Sequence, residues 1–123
     1  MKLDDIYKMA KAIMSEKPTS TTYDNVVVDQ MNVILTELFD ANNICRVFYG
    51  KEPLKNVPLM QSREDDVPYE TEYCREVIPY ALASMLEIDD DMAKHSLFEA
   101  KYNNAFVKHL KIVDEGDYDA LSA

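Results

Sequence analysis

Apolar residues recur at three- and four-residue intervals in four stretches of the chain, separated by proline, glycine or polar runs. In LDDIYKMAKAIMSE, the residues Leu3, Ile6, Tyr7, Ala10, Ile13 and Met14 share one side, which predicts a helix over 3–15. Asp4 and Asp5 suit its positive N-terminal end. Pro18 and a run of hydroxyl residues then break the pattern. Over 24–48, Val27, Met31, Ile34, Leu35, Leu38, Ile44, Cys45 and Phe48 fall on one broad face, and Gly50 supplies the stop. Val26 to Val28 alone would suit a strand, but the run continues directly into helical spacing.

A third helix is predicted over 70–87, with Tyr73, Val77, Ile78, Ala81, Leu82, Met85 and Leu86 on its apolar side. Pro79 removes the bond to the carbonyl of Arg75 and is expected to kink it. The fourth, over 90–112, carries Met92, Ala93, Leu97, Phe98, Tyr102, Ala105, Phe106 and Leu110. Leu35, Leu38, Leu82 and Phe98 are expected in the core. Between the second and third helices, Pro53, Pro58 and Pro68 forbid a continuous helix, so residues 51–68 form an irregular arm. Its Leu54, Val57, Leu59 and Met60 need something to cover them. The end, DEGDYDALSA, is acidic and aperiodic and is expected to take its order from a partner.

The expectation is an all-α fold: a small antiparallel bundle of about four helices with a Pro-rich extended arm and an extended C-terminal tail. Residues 1–112 form the helical domain and 113–123 the tail. Composition agrees, because two glycines and five prolines leave little material for the tight turns of an all-β protein. A formal charge of −10 repels phosphates and argues against a DNA-gripping module, although an acidic wall would let a duplex slide past. Cys45 and Cys74 lie inside apolar helical patterns without ligand spacing and are expected as core residues of a chain folding in a reducing cytoplasm. The N-terminus is amphipathic and acidic, and no apolar run reaches membrane-spanning length.

The one arresting cluster is Asp89, Asp90 and Asp91. A calcium loop beginning at Asp89 would place Ala93 where a ligand is needed, Lys94 where the glycine belongs and Ala100 where the final glutamate belongs. The triplet is therefore expected to mark a turn, one aspartate capping the last helix. A short connection makes the flanking helices antiparallel neighbours. His95 and His109 are too far apart in sequence for a paired ligand motif. With no phosphate loop, zinc spacing or recognisable nucleophile context, neither an enzyme nor a bound cofactor or metal is expected. Tyr69, Tyr73 and Tyr80 cluster around the third helix, suiting either core or interface.

The order of these elements, with ELFDANN (37–43), EPL (52–54), DDVPY (65–69), IPYALASML (78–86) and DDDMAKHSLFEAKYNNA (89–105), resembles small head-to-tail connector proteins of tailed phages, also called adaptor or head-completion proteins. The resemblance covers about residues 3–107 and implies a structural virion protein made in the host cytoplasm. Such a protein forms a homo-oligomeric ring, of twelve copies in this reading, beneath the portal protein at the capsid–tail junction. The ring docks the next tail or neck component, and packaged DNA passes through without specific binding; no membrane is involved. On this reading the candidate contacts with a neighbouring subunit or the portal are Leu54, Val57, Leu59, Met60, Tyr69, Tyr118 and Leu121. The rival expectation is an acidic soluble inhibitor, a DNA mimic that occupies a partner's basic nucleic-acid site.

Overall fold

The computed structural model describes the backbone of residues 1–122 and the side chains of residues 1–110. Helix α1 spans Leu3–Ile13, α2 Val27–Phe48, α3 Ile78–Glu87 and α4 Met92–Ser122, and a π-helical turn at Tyr73–Val77 leads into α3. The fold is all-helical among the described residues, with one isolated antiparallel bridge between Lys2 and Asp66.

The helices end as their local chemistry dictates. Gly50 closes α2 with a positive φ of 79°, while the Lys51 and Gly50 N–H groups return to the carbonyls of Arg46 and Val47. The same closure ends α1, but with Ser15 at φ 61° and the N–H groups of Glu16 and Ser15 bonded to Lys11 and Ala12. Pro79 occupies the first turn of α3, just beyond the π-helical turn. The sequence expectation puts Pro79 in a helix interior; the structure puts it at a helix start, where the widened turn ahead of it relieves the clash between the proline ring and the preceding carbonyl.

Helix α3 packs against α1, α2 and α4. That central position explains why Ile78, Pro79, Ala81, Leu82, Ala83 and Leu86 are all buried: a helix surrounded by neighbours has no solvent face to make polar. Leu35, Leu38, Leu82 and Phe98 are buried as the periodicity predicts. Ile44, Met92 and Leu97, grouped by pattern with the core faces, instead stand in solvent. Ile44 lies eighteen residues, or five whole turns, after Val26 and so shares that residue's open side of α2.

The last helix runs past residue 112 to Ser122, where the pattern suggested an extended tail. Residues 113–122 contain no proline, and Gly116 costs only about 1 kcal/mol relative to Ala, so loss of periodicity removes a packing face without stopping the helix.

Candidate interaction surfaces

The arm is tied to its own chain by asparagine side chains. Asn32 Nδ2 donates to the Met60 carbonyl at 2.9 Å while its Oδ1 accepts the Met60 N–H at 2.7 Å. Asn43 repeats the arrangement with Leu54 at 3.1 and 2.8 Å, and Asn42 Oδ1 accepts the Glu70 N–H at 2.8 Å. A primary amide offers the same donor and acceptor as a backbone peptide, so Asn32 and Asn43 pair with the arm much as a neighbouring strand would, whereas Asn42 uses only its oxygen and its buried Nδ2 has no partner among the described residues. At the far end, the carbonyls of Asp65 and Arg63 accept the N–H groups of Leu3 and Asp4 at 2.9 and 2.8 Å, capping α1 with main chain instead of a side chain. The Glu70 carboxylate, itself buried, receives Lys51 at 2.9 Å and Arg46 at 3.4 Å, closing the junction between α2 and the turn before α3.

This pinning sorts the contacts expected from sequence. Met60 and Tyr69 are buried in the chain's own core, and the Tyr69 hydroxyl donates to the Leu35 carbonyl, so neither side chain is presented to a neighbour. Leu54 is half-buried against the core. Val57 and Leu59 remain exposed, Leu59 at 69%. Tyr118 and Leu121 lie outside the residues whose side chains are described. The arm residues separate because its backbone is held to α2 at Leu54 and Met60 and not at Val57 or Leu59, and the signal for this lies in Asn32 and Asn43 on α2 and not in the arm.

The aspartate triplet is a turn whose members have separate tasks. Asp91 caps α4 by accepting the Lys94 N–H at 3.1 Å, and Asp90 accepts the Tyr23 hydroxyl at 2.6 Å. Asp89 is exposed. Among the described residues no group of three or more His, Cys, Asp or Glu could hold a metal ion. Burial, and after it the bond to Asp90, pushes the Tyr23 phenol up; burial and then Asp24 do the same for Tyr7. Burial also carries Tyr73 up to about 12 and Cys74 up to about 11, leaving neutral donors and an unreactive thiol.

A small cleft of about 150 Å³ between α2, α3 and α4 is lined by Glu37, Ser84, His95, Glu99 and Tyr102. His95 Nδ1 lies 3.1 Å from Ser84 Oγ, and its Nε2 lies 3.2 Å from Glu99. The grouping has the residue types of a hydrolytic triad but not its directions. Nδ1 is closer to the Ser84 carbonyl, at 2.8 Å, to which it can only donate. A nitrogen donating there cannot take a proton from Ser84 Oγ, and the hydroxyl can turn instead to the His95 carbonyl at 3.4 Å. Ser84 is buried within α3, where neighbouring N–H groups serve the helix and supply no oxyanion hole. His95 therefore clamps α4 to α3, and His109, tilted against the Tyr73 ring and paired with Glu76, clamps the next stretch.

Among the described residues, two helical faces are bare. On α2 and its first turn, Val26, Val33, Ile44 and Val47 are exposed on the side away from the core. On α4, Ala93, Leu97, Ala100, Asn104 and Val107 follow alternating spacings of four and three, all exposed and opposite the buried Phe98 and His109. Among the described residues no helix is long and apolar enough to cross a membrane. Compared with protein-family models, curated proteins and solved structures, the chain matches none.

Proposed function

We propose that the chain is a structural subunit of a tailed-phage neck, forming a ring of twelve copies in this reading beneath the portal, where it joins capsid to tail and extends the DNA channel. The observation that carries the reading is the pair of bare apolar faces on α2 and α4, left over after the core is closed and the arm is pinned. A ring subunit needs two different faces, one for each neighbour, because a heterologous contact repeated around an axis closes on itself. The sequence resemblance supplies the phage context. The net charge of −10 suits a channel wall that packaged DNA must slide past.

Val57 and Leu59 on the arm, with Tyr118 and Leu121 near the C-terminus, are the remaining candidates for the portal or the next neck component. In this reading Met60 and Tyr69 support the subunit from within. The test is native mass measurement of the chain alone and with a portal ring, followed by imaging. A discrete multiple of the subunit mass, or a ring that appears on the portal, supports the proposal. A single-copy protein that ignores portal and instead captures a basic nuclease or repressor overturns it in favour of the DNA-mimic reading.

A further inference from the structure

We infer that the outer face of α4 in one copy docks on the open face of α2 in the next. The inference names the partner for the faces used in the ring reading and rests on that reading.

The two faces differ in charge while matching in apolar content. Lys94, Lys101 and Lys108 recur at seven-residue intervals, forming an exposed column beside the Leu97 and Val107 seam. Glu99 is the one exposed carboxylate between Met92 and Leu110. The open side of α2 presents Asp29 and Asp40 around Val33, Ile44 and Val47, with no base among them, while Glu37 at its edge accepts the Tyr102 hydroxyl of the same chain at 3.0 Å. Asp29, Asp40 and the three lysines make no ion pair among the described residues, whereas Asp4, Asp24 and Glu70 are paired inside the chain. The lengths also correspond: the lysine column covers about 21 Å and Asp29 to Asp40 about 16 Å along their helices.

Charge selects this pairing over the alternatives. Joining α4 to α4 brings lysine columns to one seam, and joining α2 to α2 does the same with carboxylates. Joining α4 to α2 sets lysines against carboxylates and covers Val33 and Ile44 with Leu97 and Val107. The small Ala93 and Ala100 let the helices approach closely. Because the faces lie on different helices, each copy keeps one free face after docking, as a head-to-tail ring requires.

Two charge-reversed chains test the inference: Asp29→Lys with Asp40→Lys, and Lys101→Glu with Lys108→Glu. Lys94 is left in place because its charge acts on the buried Glu87. Sedimentation should show the wild type assembling, each variant alone staying at single-copy mass, and an equimolar mixture regaining the wild-type mass, since the reversed faces match each other. Far-ultraviolet spectra check that both variants fold; if one does not, Asp40→Lys and Lys101→Glu singly replace the pairs. Assembly of the wild type should also weaken as salt rises, a readout that needs no variant. Variants that assemble normally alone, a mixture that stays monomeric, or salt-independent assembly overturns the α4–α2 contact while leaving a ring intact. A wild type that remains single-copy at every concentration, with or without portal, overturns the ring reading together with the contact.

Discussion

The two flanks of α2 outside the core invert the usual expectation. The flank carrying Asn32, Asn43 and Arg46 is polar, yet the chain covers it with the arm. The flank carrying Val26, Val33, Ile44 and Val47 is apolar, yet it is bare, with Val33 53% and Val47 57% exposed. Coverage within one chain goes where backbone groups need partners, because an arm with three prolines cannot satisfy its own donors and acceptors by regular structure. The asparagines supply what the arm lacks. Among the described residues no such segment covers the apolar flank, which is the condition under which a second molecule gains most by burying it.

The comparison is sharpest within the arm itself, where neighbouring residues have opposite fates. Met60 is 6% exposed and Leu59 is 69% exposed. Replacing Met60 with Ala should lower stability by about 2–4 kcal/mol, read by chemical denaturation, because it empties core volume. Replacing Leu59 with Ala should stay within about 0.5 kcal/mol. Equal losses at the two positions would mean that the arm is not pinned with the register described here. On α2, Asn32→Ala orphans both the N–H and the carbonyl of Met60 and should lower stability by about 1–3 kcal/mol. Val33→Ser, one residue on, should move it by no more than about 0.5 kcal/mol, since Ser and Val have similar helix propensities and the site is open. A Val33 variant that unfolds the isolated subunit would remove the distinction between the flanks.

Much of this was legible before the structure, and the illegible part has a consistent cause. Periodicity locates the four helices, and Gly50 marks the end of α2, because those signals arise from one residue or one face. Asp91 as a cap for α4 is equally local. The asparagine pairs are not: Asn32 reads as an ordinary polar helix residue until Met60, twenty-eight positions away, is known to lie beside it. The Ser84–His95 clamp is hidden for the same reason. Ser15 shows the limit at a helix end, for its closure matches that of Gly50 but the residue gives no hint of a positive φ. Ser15→Gly should therefore stabilise the chain by about 0.5–1 kcal/mol, visible as a higher Tm. A lower Tm would show that Ser15 makes up its backbone strain through contacts not seen around it.

The smallest expected effect extends the comparison to a carboxylate that the fold encloses without the two-way amide pairing of Asn32 and Asn43. Glu87 is 4% exposed at the end of α3, and its carboxylate forms no hydrogen bond or ion pair among the described residues. Burial raises its pKa above the ordinary 4.5; the charge of Lys94 opposes this, and Asp91, Asp90 and Glu16 reinforce it. The folded state thus holds the proton more tightly than the unfolded chain does. As pH rises from about 4.5 through the raised value, the unfolded chain ionises first, and folding stability falls. Glu87→Gln keeps the shape and removes the ionisation. Its Tm relative to wild type should be flat below the carboxylate range, rise as pH passes upward through that window, and level off once the native carboxyl is ionised. Opposite curvature, with the Gln variant losing ground as pH rises, would mean that attraction to Lys94 outweighs burial. Covered polar groups on this chain would then be stabilised by charge as well as by the amide pairing that holds the arm.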